Sequence, residues 1–318
     1  MYDVTATGEL LIDFTRNGLS EQNNRIYEAN PGGAPCNVLA MLGKLGYKTA
    51  FIGKVGDDEF GKLLKNTISE QKIDSTGLVM DPDAKTTLAF VDNDETGDRS
   101  FSFYRKPGAD MMLREDEVNY ELIDNCRIFH FGSLSMTDES VRSATYAMVD
   151  YAKKKNKIIS FDPNLRPPLW ESEDLAAKQI WYGIEQCDIL KIADNEIEWL
   201  TGTNDYDKGI EIIRERTHAK LINVTLGPNG SIAYYGGLKV FMEPYLNEDT
   251  IETTGAGDTF GACALHAVLK HGLDNMTEED LKEMLQFANA AASLITTKKG
   301  ALRVMPEEKE IKELINTY

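Results

Sequence analysis

The chain has 318 residues, of which 42% are hydrophobic and 27% are charged. This composition is ordinary for a folded globular protein and excludes a collagen-like fibre, a coiled coil and a wholly disordered chain. A formal net charge of -18 argues against the dense basic surface that nucleic-acid binding requires, so we expect no nucleic-acid partner.

Strand and helix patterns alternate along the chain, which is typical of a parallel sheet covered by helices on both faces. Short β-rich runs predict buried strands at 49–52, 128–131, 157–161, 189–192 and 221–225. Amphipathic patterns predict helices over 36–43, 138–155, 176–185, 195–200, 206–217, 257–271 and 278–295. No linker rich in Pro, Gly or Ser divides the chain, so we expect a single α/β domain over residues 1–318.

Two segments depart from this alternation, at residues 8–30 and 84–105. Both alternate apolar and polar residues, with turn residues at Asn23-Asn24 and within 92–98, as antiparallel hairpins do. Because such hairpins do not fit a sheet that is buried on both faces, we predict a small separate sheet that acts as a lid. Exposed sheet edges pair readily, so we also predict a homodimer formed through the lid.

The four cysteines, Cys36, Cys126, Cys187 and Cys263, are far apart and form no metal-binding or redox motif, which predicts reduced core residues. No apolar run approaches the roughly 18 residues of a membrane span, and the first residues do not resemble a leader. We therefore expect a cytoplasmic protein with no membrane partner.

The most specific motif is the run TTGAGDTFG at residues 253–261. Glycines in a loop that opens a helix leave backbone amides available to an anion, and the helix dipole adds partial positive charge. Asp258 would lie in the first turn of that helix. A carboxylate there can simply stabilise the helix start, but beside an anion site it can also act as a base.

A second glycine pair, Gly32 and Gly33 in the run GGAPCN, also precedes a predicted helix, with Asn37 in its first turns. By itself this pattern is equally compatible with a plain turn. The run GDDEFGKL at 56–63 nearly matches a nucleotide-binding loop, but Leu63 lacks the hydroxyl that binds magnesium and three acidic residues would repel phosphate. We therefore reject it as a phosphate site.

Polar residues follow two of the predicted strands. The run FDPNLRPP at 161–168 places Arg166 at the carboxyl end of a strand, where ligands of open α/β sheets bind. The run VTLGPNG at 224–230 ends another strand in a glycine turn, for which an ordinary hairpin and a ligand loop are equally good interpretations.

The runs GGAPCN and TTGAGD together resemble the two signatures of the PfkB (ribokinase-like) carbohydrate kinases, in the same order and at similar spacing, and the resemblance spans nearly the whole chain. It implies a ribokinase-like fold, in which a central, mostly parallel sheet carries a small β-sheet lid. Within the family, the segments 162–166, 103–105 with 108–110, and 200–202 are most similar to bacterial fructokinases. The implied activity is ATP-dependent phosphorylation of a sugar primary hydroxyl, with D-fructose as the expected acceptor and Mg²⁺ held mainly by the nucleotide phosphates.

The resemblance also implies a role for each matching residue. Asp258 resembles the catalytic base, and Gly255, Ala256 and Gly257 match the anion hole, with Arg166 near the transferred phosphate. The positions that match sugar-binding residues are Asp13, Gly32, Gly33, Asn37 and Arg105. Those that match the nucleotide site are Lys191, Thr225, Gly227, Gly230 and Asn289.

The chain departs from the family pattern at its ion-binding positions. Glu252 stands where the family commonly has Asp beside a bound monovalent cation, which leaves a potassium requirement open. The family's motif for magnesium and phosphate reads two ways: Asn195 with Glu198 is the literal match, whereas alignment on the run LTG at 200–202 selects Glu196, which we prefer.

Two alternatives to a fructokinase stay open at this point. The segment 162–166 also resembles kinases of 2-keto-3-deoxygluconate, so that sugar acid or another ketose or ribose-type sugar is the alternative acceptor. A non-catalytic sugar or nucleoside sensor is the alternative from another class of protein. The sequence does not identify the physiological sugar or the hydroxyl that receives the phosphate.

Overall fold

The computed structural model describes residues 1–93 and 99–317. Within these ranges the strands are β1 (Tyr2–Thr7), β2 (Leu11–Leu19), β3 (Arg25–Gly32), β4 (Thr49–Gly56), β5 (Ile73–Asp81), β6 (Leu88–Asn93), β7 (Arg99–Tyr104), β8 (Cys126–Gly132), β9 (Ile158–Asp162), β10 (Ile189–Ala193), β11 (Leu221–Thr225), β12 (Ser231–Tyr235) and β13 (Leu238–Met242). The helices are α1 (Ala34–Lys44), α2 (Glu59–Glu70), α3 (Glu121–Asp124), α4 (Glu139–Lys154), α5 (Glu173–Gln186), α6 (Asp194–Thr201), α7 (Tyr206–Arg214), α8 (Ala256–His271), α9 (Glu278–Ile295) and α10 (Glu308–Thr317).

The main sheet has nine strands in the order β13-β12-β11-β10-β9-β8-β1-β4-β5. The strands from β11 to β5 are parallel, and β12 and β13 add an antiparallel edge. Neighbouring residues of β11 enter different cores, Leu221 on one face of the sheet and Ile222 on the other. The sheet is thus buried on both faces, as predicted, and each of the five predicted strands is present.

A second sheet of four strands, in the order β3-β2-β6-β7, forms the predicted lid. Both hairpins are antiparallel, but they join each other through a parallel pairing of β2 with β6, in which Ile12 lies opposite Leu88. The alternating pattern did not predict this pairing, because it determines which face a residue occupies and not which strand lies alongside. The second predicted turn falls largely on residues 94–98, which lie outside the described residues.

The loop that nearly matches a nucleotide-binding motif is a helix cap. Asp58 precedes α2, and its Oδ1 accepts hydrogen bonds from the Gly61 amide at 2.8 Å and from the Thr86 hydroxyl at 2.7 Å. Although burial opposes it, these bonds hold the pKa of Asp58 below its usual value. Because Thr86 lies just before β6, the cap also attaches α2 to the base of the lid.

The four cysteines are free and buried, as predicted from their spacing. Burial raises the pKa of each thiol, in Cys126 to about 11. None of the described helices has both the length and the apolar character needed to cross a membrane.

Candidate active site

A cleft of about 400 Å³ lies between the lid and the carboxyl ends of the main-sheet strands, where ligands of open α/β sheets bind. Strand β2 contributes alternate residues to its wall, because successive side chains of a strand point to opposite faces. The predicted site residues that line the cleft are Asp13, Gly33, Asn37, Arg166, Lys191, Glu252, Gly255, Gly257 and Asp258. The fold therefore brings together residues from both glycine motifs and from the segment after β9.

Helix α8 begins at the cleft. Its N-cap, Gly255, has φ of 78°, a left-handed conformation in which a side chain would also lie 2.8 Å from the Ala301 Cβ. The first amides of a helix have no intrahelical acceptor. The Ala256 amide donates back to the Thr253 carbonyl at 3.2 Å, so the amides of Gly257 and Asp258 are the better placed donors for an anion.

Asp258 is buried in the first turn of α8, and its Oδ2 accepts a 2.7 Å hydrogen bond from Nδ2 of Asn37 on α1. Burial raises the pKa of Asp258 to about 6, although the Asn37 hydrogen bond opposes this. The nearby Asp162 carboxylate raises it further, and the cations of Lys191 and Arg166 lower it. A carboxyl group with these neighbours can hold a proton near neutral pH and release it again.

A buried cation lies against the start of α8. The Lys191 ammonium is 3.2 Å from Oδ2 of Asp162, and a Cβ placed on Gly257 would lie 3.0 Å from its Nζ. Burial lowers the pKa of Lys191, but the carboxylates of Asp162, Glu196 and Asp258 outweigh it and raise the pKa overall. The cation and the helix amides thus favour negative charge at the same place.

Asp13 and the first glycine motif form the lid side of the cleft. Gly32 leaves room for the Asp13 carboxylate, since a Cβ there would overlap its Oδ2. Burial raises the pKa of Asp13 to about 7, with Arg166 opposing and Glu252 and Asp258 reinforcing the shift. Among the described residues, Oδ1 of Asn37 has no hydrogen-bond partner although it is buried, which leaves an acceptor for a ligand hydroxyl.

The two candidate glutamates of the magnesium motif differ in burial. Glu196 is buried and its two carboxylate oxygens accept the amides of Leu165 at 2.7 Å and Ala193 at 2.8 Å, whereas Glu198 is exposed. Burial raises the pKa of Glu196, and the Lys191 cation opposes this. Glu196 therefore fixes the segment that carries Arg166, through the Leu165 amide, and does not itself line the cleft.

Glu252 lies in the cleft wall. Its Oε1 accepts the Gly300 amide at 2.8 Å, so one oxygen of this carboxylate is already bonded to the chain.

Arg105, predicted to bind sugar, does not line the cleft in this structure. Its guanidinium is buried at the base of the lid, where it bonds Asp110 at 2.7 Å, the Thr137 hydroxyl at 3.0 Å and the Leu134 carbonyl at 2.9 Å. These partners engage its donors in holding the lid to the main body.

The predicted nucleotide residues beyond Lys191 lie outside the cleft lining. Asn289 on α9 is buried, and its side chain bonds the Ser231 hydroxyl and the carbonyls of Met242 and Glu243. The remaining three, Thr225, Gly227 and Gly230, lie at the end of β11 and in the turn that follows it.

Sequence reasoning missed Glu9, which lines the cleft and is buried. Its Oε1 accepts the Ala34 amide at 2.8 Å. Glu9 lies in the connection between β1 and β2, outside any strand or helix, so the periodicity of the sequence carried no signal for it.

The comparisons with known proteins agree with this geometry. The model of the pfkB family carbohydrate kinases matches residues 1–308. A probable fructokinase-2 of Arabidopsis thaliana is 41% identical over 309 residues, which covers 96% of this chain and 94% of the relative. The fructokinase of Xylella fastidiosa with bound ATP is 30% identical, with a TM-score of 0.90 over 100% of this chain and 99% of that one.

A further solved structure, a fructokinase double mutant of Vibrio cholerae O395 in a form with bound fructose, ADP and potassium ion, is 29% identical, with a TM-score of 0.89 over 99% of this chain and 98% of that one.

An open α/β sheet with a lid, and a buried carboxyl group in the first turn of a helix at the cleft, fit an enzyme that transfers a phosphoryl group to an alcohol, which is the class that the comparisons show. The chain belongs to the pfkB family of carbohydrate kinases. The predicted ribokinase-like fold and the predicted kinase class are thereby confirmed.

Proposed function

We propose that this kinase transfers the γ-phosphoryl group of ATP to the primary hydroxyl of D-fructose and yields fructose 6-phosphate. The observation that carries the proposal is the position of Asp258, at the start of α8 and hydrogen-bonded to Asn37. The relatives named as fructokinases, and the neighbour with bound fructose and ADP, support fructose as the acceptor.

In the proposed reaction, the Asp258 carboxylate accepts the proton of the sugar hydroxyl. The hydroxyl oxygen forms a bond to the γ-phosphorus, and the bond between that phosphorus and the β–γ bridging oxygen breaks with ADP as the leaving group. Asp13 and Oδ1 of Asn37 would orient the sugar hydroxyls. Such positioning, together with stabilisation of charge, is most of what phosphoryl transfer requires from a protein.

The negative charge of the phosphates would be met by the amides of Gly257 and Asp258, by Lys191 and by Arg166. The lone pairs left on the carboxylates of Asp162 and Glu196 fit Mg²⁺, which prefers oxygen ligands and keeps several waters. When bound with the nucleotide, the ion would neutralise phosphate charge. The nucleotide would extend toward Thr225 and the glycine turn after β11.

An acceptor screen tests the proposed function. ADP release is measured with fructose, glucose, ribose and 2-keto-3-deoxygluconate at equal concentration, and the product is identified by NMR. We expect fructose to give the highest kcat/KM and the product to be the 6-phosphate. A higher value for the sugar acid would replace fructose as the acceptor, and no ADP with any acceptor would favour a sensor.

Three further properties are part of the proposal: a single domain over residues 1–318, a cytoplasmic location, and a homodimer through the lid. The dimer is supported by large apolar side chains exposed on the lid strands, namely Leu19, Ile26 and Tyr104. Sedimentation at micromolar concentration tests it, and a monomer there would contradict it.

Glu252 is proposed as the site of a monovalent cation, through the lone pairs that the Gly300 amide leaves unused. Turnover measured with potassium chloride, against equal concentrations of a tetraalkylammonium salt, tests this role. The expected result is higher turnover with potassium, and equal turnover in the two salts would remove the cation from the proposal.

A further inference from the structure

Glu9 lies in the short connection between β1 of the main sheet and β2 of the lid. It is only 4% exposed, and its Oε1 accepts the Ala34 amide at 2.8 Å. Ala34 is the first residue of α1, so this carboxylate occupies the position that favours negative charge at a helix start. Nothing in the proposed reaction uses Glu9.

The contact between this connection and α1 is close on both sides. A Cβ on Gly33 would overlap the Glu9 carbonyl oxygen, and a Cβ on Gly8 would overlap the Pro35 ring. Gly33 also has φ of 128°, a conformation that side chains rarely adopt. The start of α1 therefore packs directly against the Glu9 backbone, and the Glu9 side chain holds it there through the Ala34 amide.

Asn37 lies one turn further along α1, and its backbone N–H donates to the Gly33 carbonyl at 3.0 Å, as in a regular helix. The Asn37 side chain then donates to Asp258 at 2.7 Å. Glu9 is thus connected through the first turn of α1 to Asn37, and through Asn37 to the carboxyl group of Asp258.

We propose that Glu9 is a positioning residue for phosphoryl transfer: by bonding the Ala34 amide it fixes the start of α1, and thereby directs the Asn37 side chain to Asp258. This inference rests on the proposed role of Asp258 as the base. Misplacement of a reacting group by about 1 Å can cost roughly 100-fold in rate. We therefore expect a shift at the start of α1 to lower kcat.

The charges around these groups determine the pH behaviour. Burial raises the pKa of Glu9 to about 7; Arg105 opposes this and Asp110 reinforces it. Around Asp258, the facing charges are Asp13, Asp162, Lys191 and Arg166, and the Asn37 hydrogen bond lowers its pKa. If that bond is lost, the pKa of Asp258 rises, and the acid limb of the pH profile of kcat/KM must move to higher pH.

The test compares two substitutions of Glu9. Glu9→Gln keeps an oxygen that can accept the Ala34 amide, whereas Glu9→Leu removes it at similar size. For Glu9→Leu we expect kcat to fall about 10- to 100-fold, with fructose affinity within about threefold of wild type and the acid limb shifted upward. Glu9→Gln should keep kcat within about threefold. A large loss of fructose affinity in both variants would overturn the proposal, since Glu9 would then contact the sugar.

A double-mutant cycle tests whether Glu9 acts through Asn37. Residues that act as a unit are not additive, so Glu9→Leu combined with Asn37→Leu should be no slower than Asn37→Leu alone. Multiplied losses would overturn the proposal. Should Glu9→Leu fail to fold, Ala34→Pro removes the same bond from the donor side at a helix position that accepts proline, and the same losses are expected.

Asp205→Leu is the matched control, because the Asp205 carboxylate caps α7 by accepting the Lys208 amide at 3.3 Å, and neither residue lines the cleft. It should lower the melting temperature while kcat and the acid limb stay unchanged. An upward shift of the limb in this variant would overturn the proposal, because a general loss of stability would then explain the effect.

Wild-type ADP release with fructose tests the proposed function separately. If wild type is active and Glu9→Leu has the same activity, only the positioning role of Glu9 fails.

Discussion

Asp258 is the residue on which the proposed chemistry depends most directly. Asp258→Asn keeps the size of the side chain but cannot accept the proton of the sugar hydroxyl. A positioned base contributes roughly 10²- to 10⁴-fold, so we expect kcat to fall by that factor while the dissociation constant for fructose stays within about threefold. Single-turnover kinetics and calorimetric titration with fructose measure the two quantities, and wild-type turnover in this variant would exclude the assigned role.

The pKa of Asp258 gives the sign of the pH dependence. The base works only when ionised, and burial raises its pKa to about 6. We therefore expect kcat/KM for fructose to rise with pH, with its midpoint near 6, as the free enzyme loses this proton. A profile that is flat between pH 5 and 8 would show that no buried carboxyl group with this pKa limits the reaction.

The sequence predicted nine of the residues that line the cleft but could not separate direct contacts from supporting ones. Asp258, Asn37 and Gly255 belong to motifs in which residue type and spacing encode the geometry. Arg105 is different, because its partners Leu134 and Thr137 are distant in the chain, and their contact with it depends on how the lid meets the main body.

At the scale of elements, α9 is attached to the antiparallel edge of the main sheet through Asn289. Its side chain bonds the Ser231 hydroxyl at 2.8 Å and the carbonyls of Met242 and Glu243 at 3.2 and 2.9 Å. Removing a buried hydrogen-bonding group leaves its partners unsatisfied, at about 1–3 kcal/mol. We expect Asn289→Ala to lower the free energy of unfolding by that amount, measured by urea denaturation.

The same variant separates two roles of Asn289. If it supports the turn and strand beside the nucleotide, KM for ATP should rise together with the loss of stability. A rise in KM for ATP with unchanged stability would instead mean that Asn289 contacts the nucleotide directly, as the family resemblance implied.

The elements themselves were more predictable than their neighbours. All five predicted strands and all seven predicted helices are present, because hydrophobic periodicity reports which face of an element is buried. The parallel pairing of β2 with β6 was not predictable, since these strands are far apart in the chain and their alternation is the same whichever strand lies alongside.

For the whole molecule, burial of carboxyl groups makes stability depend on pH in a defined direction. Burial raises the folded-state pKa of Glu9 and Asp13 to about 7, well above their unfolded values. Their contribution to stability is therefore fully present below about pH 4 and is lost as pH rises through 7. Asp81 behaves in the opposite way. Hydrogen bonds from backbone amides and from the Lys54 ammonium lower its pKa to about 2. The contribution of Asp81 to stability is therefore lost as pH falls below about 4.

We therefore expect the ligand-free protein to be most stable near pH 5, with a melting temperature that falls toward pH 8. Glu9→Gln should flatten the fall on the alkaline side, because the amide carries no charge to bury. Differential scanning calorimetry from pH 4 to 9 measures this, and parallel curves for wild type and variant would mean that Glu9 has the same pKa in the folded and unfolded states.

The burial of all four thiols has a practical consequence. Reagents such as maleimides attack the thiolate, which these high pKa values and the lack of access both suppress. A cysteine introduced at Leu19, which is half exposed on the lid, would then carry a fluorophore at a single place without removal of any native thiol. The fluorescence of such a labelled enzyme would test whether the lid closes when fructose binds.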